Sequence, residues 1–204
     1  MSKFEPFSPE PPSRVRYGDV LVRFARLEDA PFLAEITVER DGGSLAARCL
    51  RFEREIARAP TPDSVFSQGR LWVAEHWGSC LGFGRAAYFV GTDTGFDAAT
   101  DTETDAAGTL LPTRMASSPV GWYLTGMIVE SGHRRRGIGA ALTEARLAWI
   151  RTQANEVFYF ANAHNLTSIA LHAQFGFEER TRDFRIPGVE FEGGRGILFV
   201  RRWT

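Results

Sequence analysis

Trp122-Tyr123-Leu124-Thr125-Gly126-Met127-Ile128-Val129, then Glu130-Ser131-Gly132-His133, then Arg134-Arg135-Arg136-Gly137-Ile138-Gly139-Ala140: this stretch decides the fold. In the first eight residues apolar side chains occupy both alternating faces, Trp122, Leu124 and Ile128 on one, Tyr123, Met127 and Val129 on the other. Such a run is a central strand covered on both sides. Over 138–150 apolar residues recur at helical spacing, at Ile138, Ala141, Leu142, Ala145 and Trp149. Thr143, Glu144, Arg146 and Arg151 are expected to turn away from the core. Between strand and helix lie three consecutive arginines and two glycines. Glycine lets backbone approach a ligand closely. The amides that open a helix lack internal acceptors and sit at the positive end of its dipole. The stretch therefore offers a diphosphate cradle at the end of a buried strand.

Three phosphate motifs compete for it. A P-loop needs Lys and then Ser or Thr straight after its second glycine, but Ile138 and Gly139 follow Gly137. A dinucleotide fingerprint needs a third glycine at the position of Leu142. What fits is Arg134-x-x-Gly137-x-Gly139-Ala140 after a strand ending at Val129. This resembles the acetyl-CoA site of the GNAT superfamily of N-acetyltransferases, although Ser131 stands where many members have proline. The resemblance implies that Met127, Ile128, Val129, Arg134, Arg135, Arg136, Gly137, Ile138, Gly139 and Ala140 bind the cofactor. It also implies that two neighbouring strands splay apart around the pantetheine arm. Gly126 is consistent with a bulge where they part.

A second constellation supports the first. Asn165, Ser168 and His172 share one face of a short helix that is otherwise apolar. The run Asn165-x-x-Ser168-x-x-Leu171-His172-x-x-Phe175-Gly176-Phe177 again resembles the superfamily. There the asparagine binds pantetheine and the serine lies near the cofactor. His172 takes the place of a tyrosine thought to protonate the departing thiolate, which makes it the candidate general acid, with packing as the alternative. Asn165 also reads as a helix N-cap. Some members that acetylate protein N-termini carry a basic glutamate where this chain has Phe160. Glu35, Glu39, Glu130 or a water are the replacements left open.

At 204 residues the chain makes one domain, with 1–19, which holds Pro6, Pro9, Pro11 and Pro12, expected as a mobile leader and 20–204 as the domain. An apolar fraction of 44% and a charged fraction of 24% are ordinary for a soluble globule. A net charge of −1 argues against nucleic acid, and no run approaches a membrane span. Cys49 and Cys80 have no metal-ligand or disulfide spacing, so a reduced cytoplasm is the expected setting and no metal is expected.

The remaining elements follow from pattern and punctuation. A strand is expected over 20–24, then a helix from Ala30 to Glu39 capped by Asp29, a break at Gly42-Gly43, and a helix started by Ser44. Residues 60–70 read as loop, and 71–76 with 80–90 as a hairpin turning at Trp77-Gly78-Ser79. Residues 91–119 are a long connection rich in Asp and Thr, either an acidic lid for a cationic amine or a solvated insertion. Strands follow over 157–161, 177–186 and 197–203, with Gly176 as a left-handed helix cap. The fold class is α/β (α+β), GNAT-like: a mixed, mostly antiparallel twisted sheet flanked by helices, in the order β-α-α-β-β-β-α-β-α-β-β.

The function this implies is direct transfer of acetyl from acetyl-CoA to a primary amine of a small molecule. A protein or peptide N-terminal acetyltransferase and a non-catalytic acetyl-CoA sensor are the alternatives. A nucleic-acid binder built on Arg134–Arg136 is disfavoured by the net charge. The sequence is compatible with a homodimer.

Overall fold

The computed structural model describes residues 20–58, 66–91, 102–104, 110–112, 118–191, 193 and 195–204. The expected leader, 1–19, lies outside the described residues, as does most of the acidic connection. Of the latter, β4 (Thr102–Thr104) and β5 (Leu110–Pro112) pair as a small antiparallel ladder.

Seven strands form the main sheet: β1 (Leu21–Phe24), β2 (Phe66–His76), β3 (Ser79–Phe89), β6 (Gly121–Val129), β7 (Glu156–Asn162), β8 (Glu178–Thr181) and β9 (Gly196–Arg202). Their spatial order is β1-β2-β3-β6-β7-β9-β8, antiparallel throughout except for the parallel β6–β7 pair. The expected mostly antiparallel mixed sheet is therefore present. β2 begins at Phe66, inside the stretch read as loop, because Gly69 and Arg70 still pair with β3. The β2–β3 turn is the two residues Trp77 and Gly78, with φ of 52° and 79°. Two positive φ values give the turn whose twist matches the strands it joins. β8 stops at Thr181, well short of the expected 186.

Helices α1 (Ala30–Asp41) and α2 (Leu45–Ile56) cover one face of the sheet. Ser44 caps α2 by accepting the Ala47 amide at 3.3 Å. Asp29 does not cap α1 with its side chain as expected. Its carboxylate turns back to the Arg26 amide (2.6 Å) and to both terminal nitrogens of Arg23 (2.8 and 2.9 Å). Phe52, Leu33, Ile36, Val73, Phe83 and Ile128 form the core on this side.

Helices α3 (Ile138–Arg151) and α4 (Leu166–Ala173) lie on the opposite face, where Leu142 and Ile150 of α3 share a core with Trp72, Leu124 and Tyr159 of the sheet. Two residues of α3 face opposite to the expectation. Thr143 and Arg146 do not turn to solvent; both are fully buried, and α3 packs on the stripe Ile138, Leu142, Arg146 and Ile150. The space comes from β3: a Cβ on Gly84 would stand 2.9 Å from Arg146 Nε.

Candidate active site

The β6–β7 pair makes the opening. Only Tyr123–Phe158 and Leu124–Tyr159 are in register. Beyond them β7 stays on β9, while β6 stays on β3 and turns away. The register with β3 slips at the same place, Gly84 facing Met127 but Ala86 facing Leu124, so Thr125 and Gly126 together oppose Arg85. This is the expected bulge, and Gly126 has the glycine-type φ of 141°. Among the described residues the β7-facing edge of β6 after Leu124 has no strand partner. Such an edge presents amides and carbonyls to an extended ligand.

The glycine turn sits at the end of this edge. A single 3-10 turn, Ser131–His133, leads into it. Arg134 Nε donates to the Val129 carbonyl at 3.1 Å, which ties the turn to the strand. Arg135 and Gly137 have positive φ of 59° and 84°. Left-handed residues in such a turn aim successive N–H groups into one concavity that suits an anion. The first intrahelical bond of α3 is Ala141 to Gly137, so the amides of Ile138, Gly139 and Ala140 precede any acceptor within the helix. Ile138 itself is buried, leaving only its backbone for a ligand. Gly139 lies against Met127 and Leu171, where a Cβ would be 3.3 and 3.4 Å from their side chains. The structure thus brings together Met127, Val129, Arg134 and 137–140 as one surface. Ile128 contributes only backbone there, since its side chain enters the core under α1 and α2.

Asn165, Ser168 and His172 form a polar chain with Tyr159, of which Tyr159 and His172 are buried. Asn165 caps the helix, its Oδ1 accepting the Ser168 amide at 3.2 Å. That leaves the Asn165 Nδ2 group as a donor. Tyr159 Oη donates to Ser168 Oγ at 2.6 Å. His172 stacks on Tyr159, ring centres 3.8 Å apart, with Phe177 edge-on at 5.5 Å. Its Nδ1 donates to the Ser168 carbonyl at 2.8 Å, because a carbonyl can only accept. Nε2 is then a bare acceptor, buried and without a partner among the described residues. Burial, with the nearby Arg146 charge, pushes the imidazole down to about 3.

Arg146 was invisible to the sequence reading as a site feature. It is 1% exposed. Nε donates to the Leu142 carbonyl (3.0 Å), Nη1 to the Arg85 carbonyl (3.1 Å), and Nη2 to Thr143 Oγ1 (3.0 Å) and Met127 Sδ (3.5 Å). None of these acceptors is a carboxylate. Burial lowers its pKa to about 9, so it keeps its charge at neutral pH. A signal existed in the small residue Gly84, but nothing in the sequence connects it with Arg146.

On the other face of the bulge a small cleft opens between α1, α2 and β6. Thr37, Phe52, Phe83, Gly126, Met127 and Ile128 line it, with Arg40, Asp41, Arg48, Arg51 and Arg85 around them. Arg85 sits over the Phe52 and Phe83 rings, 5.2 and 5.6 Å from their centres, and is held by Glu55 at 2.7 Å. Of the glutamates considered as bases, Glu35 and Glu39 are exposed, and Glu130 lies 3.5 Å from His133. Phe160 packs against Tyr123 and Phe191.

Known proteins match this arrangement. Residues 41–177 match the family model for the acetyltransferase (GNAT) family. No curated protein matches the chain. Among solved structures, the ribosomal-protein-alanine N-acetyltransferase of Brucella melitensis is similar at 21% identity and a TM-score of 0.55, over 90% of this chain and 99% of that one. An acetyltransferase of the GNAT family from Bacillus cereus is similar at 16% identity and a TM-score of 0.58, over 92% and 99% of the two chains. The yncA protein of Salmonella typhimurium, in a structure with its cofactor acetyl-CoA, is similar at 15% identity and a TM-score of 0.54, over 90% and 93%.

Proposed function

The chain belongs to the GNAT acetyltransferase family, and from that premise we propose that it transfers acetyl from acetyl-CoA directly to the primary amine of a small molecule. Acetyl-CoA is the co-substrate of the family. The observation that carries the reading is the divergence of β6 and β7 beyond Leu124 and Tyr159, with the glycine turn at its mouth.

The described residues fit the cofactor. Amides of 137–140, with Arg134, Arg135 and Arg136 around them, hold the diphosphate at the α3 N-terminus. Pantetheine adds to the open edge of β6 as an extra strand, taking backbone bonds from Met127, Ile128 and Val129, while Asn165 Nδ2 reaches its amide. The bulge amides near Gly126 and Met127 receive the oxyanion that forms when the amine attacks the thioester. Ser168 orders this wall by joining Tyr159 to His172.

His172 is assigned to positioning in place of proton donation. Its one ring proton is committed to the Ser168 carbonyl, and its Nε2 has none to give. The charge of Arg146, directly behind Met127, favours departure of the thiolate instead. We place the protein in the cytoplasm, in keeping with its two unbridged cysteines. Among the described residues no helix is long and apolar enough to cross a membrane.

A peptide or protein N-terminus is the second reading, favoured by the fold shared with the Brucella melitensis enzyme. Release of free thiol from acetyl-CoA with a panel of small amines and N-terminal peptides tests both. Turnover on small amines supports the first, and turnover confined to peptides supports the second. Acetyl-CoA binding with no acceptor turned over would leave a sensor and sink the transferase reading.

A further inference from the structure

The cleft on the α1–α2 face is built of positive charge. Its lining holds Arg40, Arg48, Arg51 and Arg85 against Asp41, four positive charges and one negative. Arg40 is paired with Asp41 at 2.7 Å and Arg85 with Glu55 at 2.7 Å. Arg48 and Arg51 have no carboxylate partner among the described residues. Four guanidinium groups around one depression repel each other. Arg85 registers the repulsion: burial lowers its pKa, Glu55 opposes the shift, and Arg51 and Arg40 add to it. An arrangement of this kind gains when an anion enters it.

The position of the cleft gives it meaning. Gly126, Met127 and Ile128 are part of its wall, and Arg85 Nη1 lies 3.7 Å from where a Cβ on Gly126 would stand. The same bulge borders the opening between β6 and β7. An acceptor seated here would meet the thioester across the bulge.

We propose that the acceptor is an amine carrying its own acid, a carboxylate or phosphonate a few bonds from the nitrogen, with Arg48 and Arg51 as the residues that bind that acid. The proposal rests on the transferase reading and names its substrate class. A diamine entering this cleft would add positive charge to positive charge. An amino acid brings the compensating anion. The unspent positive charge also lowers the pKa of the ammonium group, helping it lose the proton it must lose before attack. That supplies part of what a carboxylate at the position of Phe160 would otherwise do. The reaction balances simply: the neutral amine forms the C–N bond, the C–S bond breaks, CoA leaves as thiolate, and the amine proton passes to solvent.

The test uses the full chain. Thiol release is measured with acetyl-CoA and glycine, β-alanine, L-glutamate and 2-aminoethylphosphonate, beside the methyl esters of the three amino acids and putrescine. Calorimetry on CoA-saturated protein measures binding of the same compounds. At least one acid-bearing amine should be acetylated, with its ester and putrescine at least 10-fold poorer in kcat/KM. Arg51→Gln and Arg48→Gln, on the helix surface, should raise KM for that acceptor about 10- to 100-fold, with a smaller fall in kcat. Arg54→Gln, on the same helix but outside the cleft, should leave KM unaltered. Equal use of the ester or putrescine would overturn the proposal. So would protein that binds acetyl-CoA yet neither binds nor acetylates any acid-bearing member. Failure to bind acetyl-CoA would instead overturn the transferase reading, and this proposal with it.

Discussion

The two faces of the sheet meet at the β6 bulge and solve opposite electrostatic problems. On the α3–α4 face the glycine turn offers backbone amides that precede any acceptor within the helix, beside Arg134, Arg135 and Arg136, and the buried charge of Arg146 is spent on carbonyls, a hydroxyl and a thioether. On the α1–α2 face the charges are side chains at the rim of a cleft. In the function proposed above, fixed amides bind a diphosphate that is the same in every turnover. In the same proposal, arginines at a rim select among acceptors by charge. On that proposal the invariant partner is held by backbone geometry and the variable one by side-chain chemistry.

The largest test breaks the first half of that contrast. Gly137→Glu should abolish acetyl-CoA binding, a loss of at least about 100-fold, by placing a carboxylate in the diphosphate cradle and straining a residue at φ 84°. A Cβ there meets nothing within 4 Å, so the fold should survive. Calorimetric titration with acetyl-CoA, beside the melting curve of the variant, reads both.

The second test sharpens the neutral character of the α3–α4 face. His172 titrates near 6.5 when unfolded and at about 3 in the fold. Its contribution is present in full above about pH 6.5 and is lost as pH falls toward 3, because the unfolded chain takes up a proton the folded one refuses. At ~1.4 kcal/mol per pH unit the loss is on the order of 3–5 kcal/mol. Urea melts of wild type and His172→Phe between pH 7 and 4 should differ in slope, the variant being flatter. Parallel curves would return His172 to an exposed or already charged state.

Smaller effects come from the glycines that let the faces coexist. Gly84→Ala should cost about 1–3 kcal/mol, since its Cβ would press on an Arg146 guanidinium fixed by four bonds. Gly126→Ala should cost about 1–2 kcal/mol through φ strain at 141°. It should also lower kcat more than acetyl-CoA affinity, because it sits at the bulge and not in the cradle. Denaturant melts and initial rates separate the two variants.

Most of the frame was legible because it is written in local signals. The unbroken apolar run of 122–129, the spacing Arg134-x-x-Gly137-x-Gly139, and Ser44, Gly42 and Trp77-Gly78 each act within a few residues of where they stand. The residues expected to form the cofactor surface lie within the same local signals, over 127–140. Arg146 was misplaced because an arginine at helical spacing normally faces water. Its burial depends on Gly84, 62 residues away in sequence and across the sheet. The arginine cleft was missed likewise: Arg40, Arg48 and Arg51 read as ordinary helix surface until Arg85 of β3 joins them. Asp29 looked like a helix cap because the sequence does not reveal that Arg23 and the Arg26 amide reach it first.

The proposed chemistry depends on main-chain amides of 137–140 holding the diphosphate and directing the thioester to the bulge at Gly126. A crystal structure with acetyl-CoA tests it most directly. Diphosphate oxygens are expected within hydrogen-bonding distance of those amides, with pantetheine along β6 beyond Leu124. A cofactor bound elsewhere, with the turn empty, would contradict it.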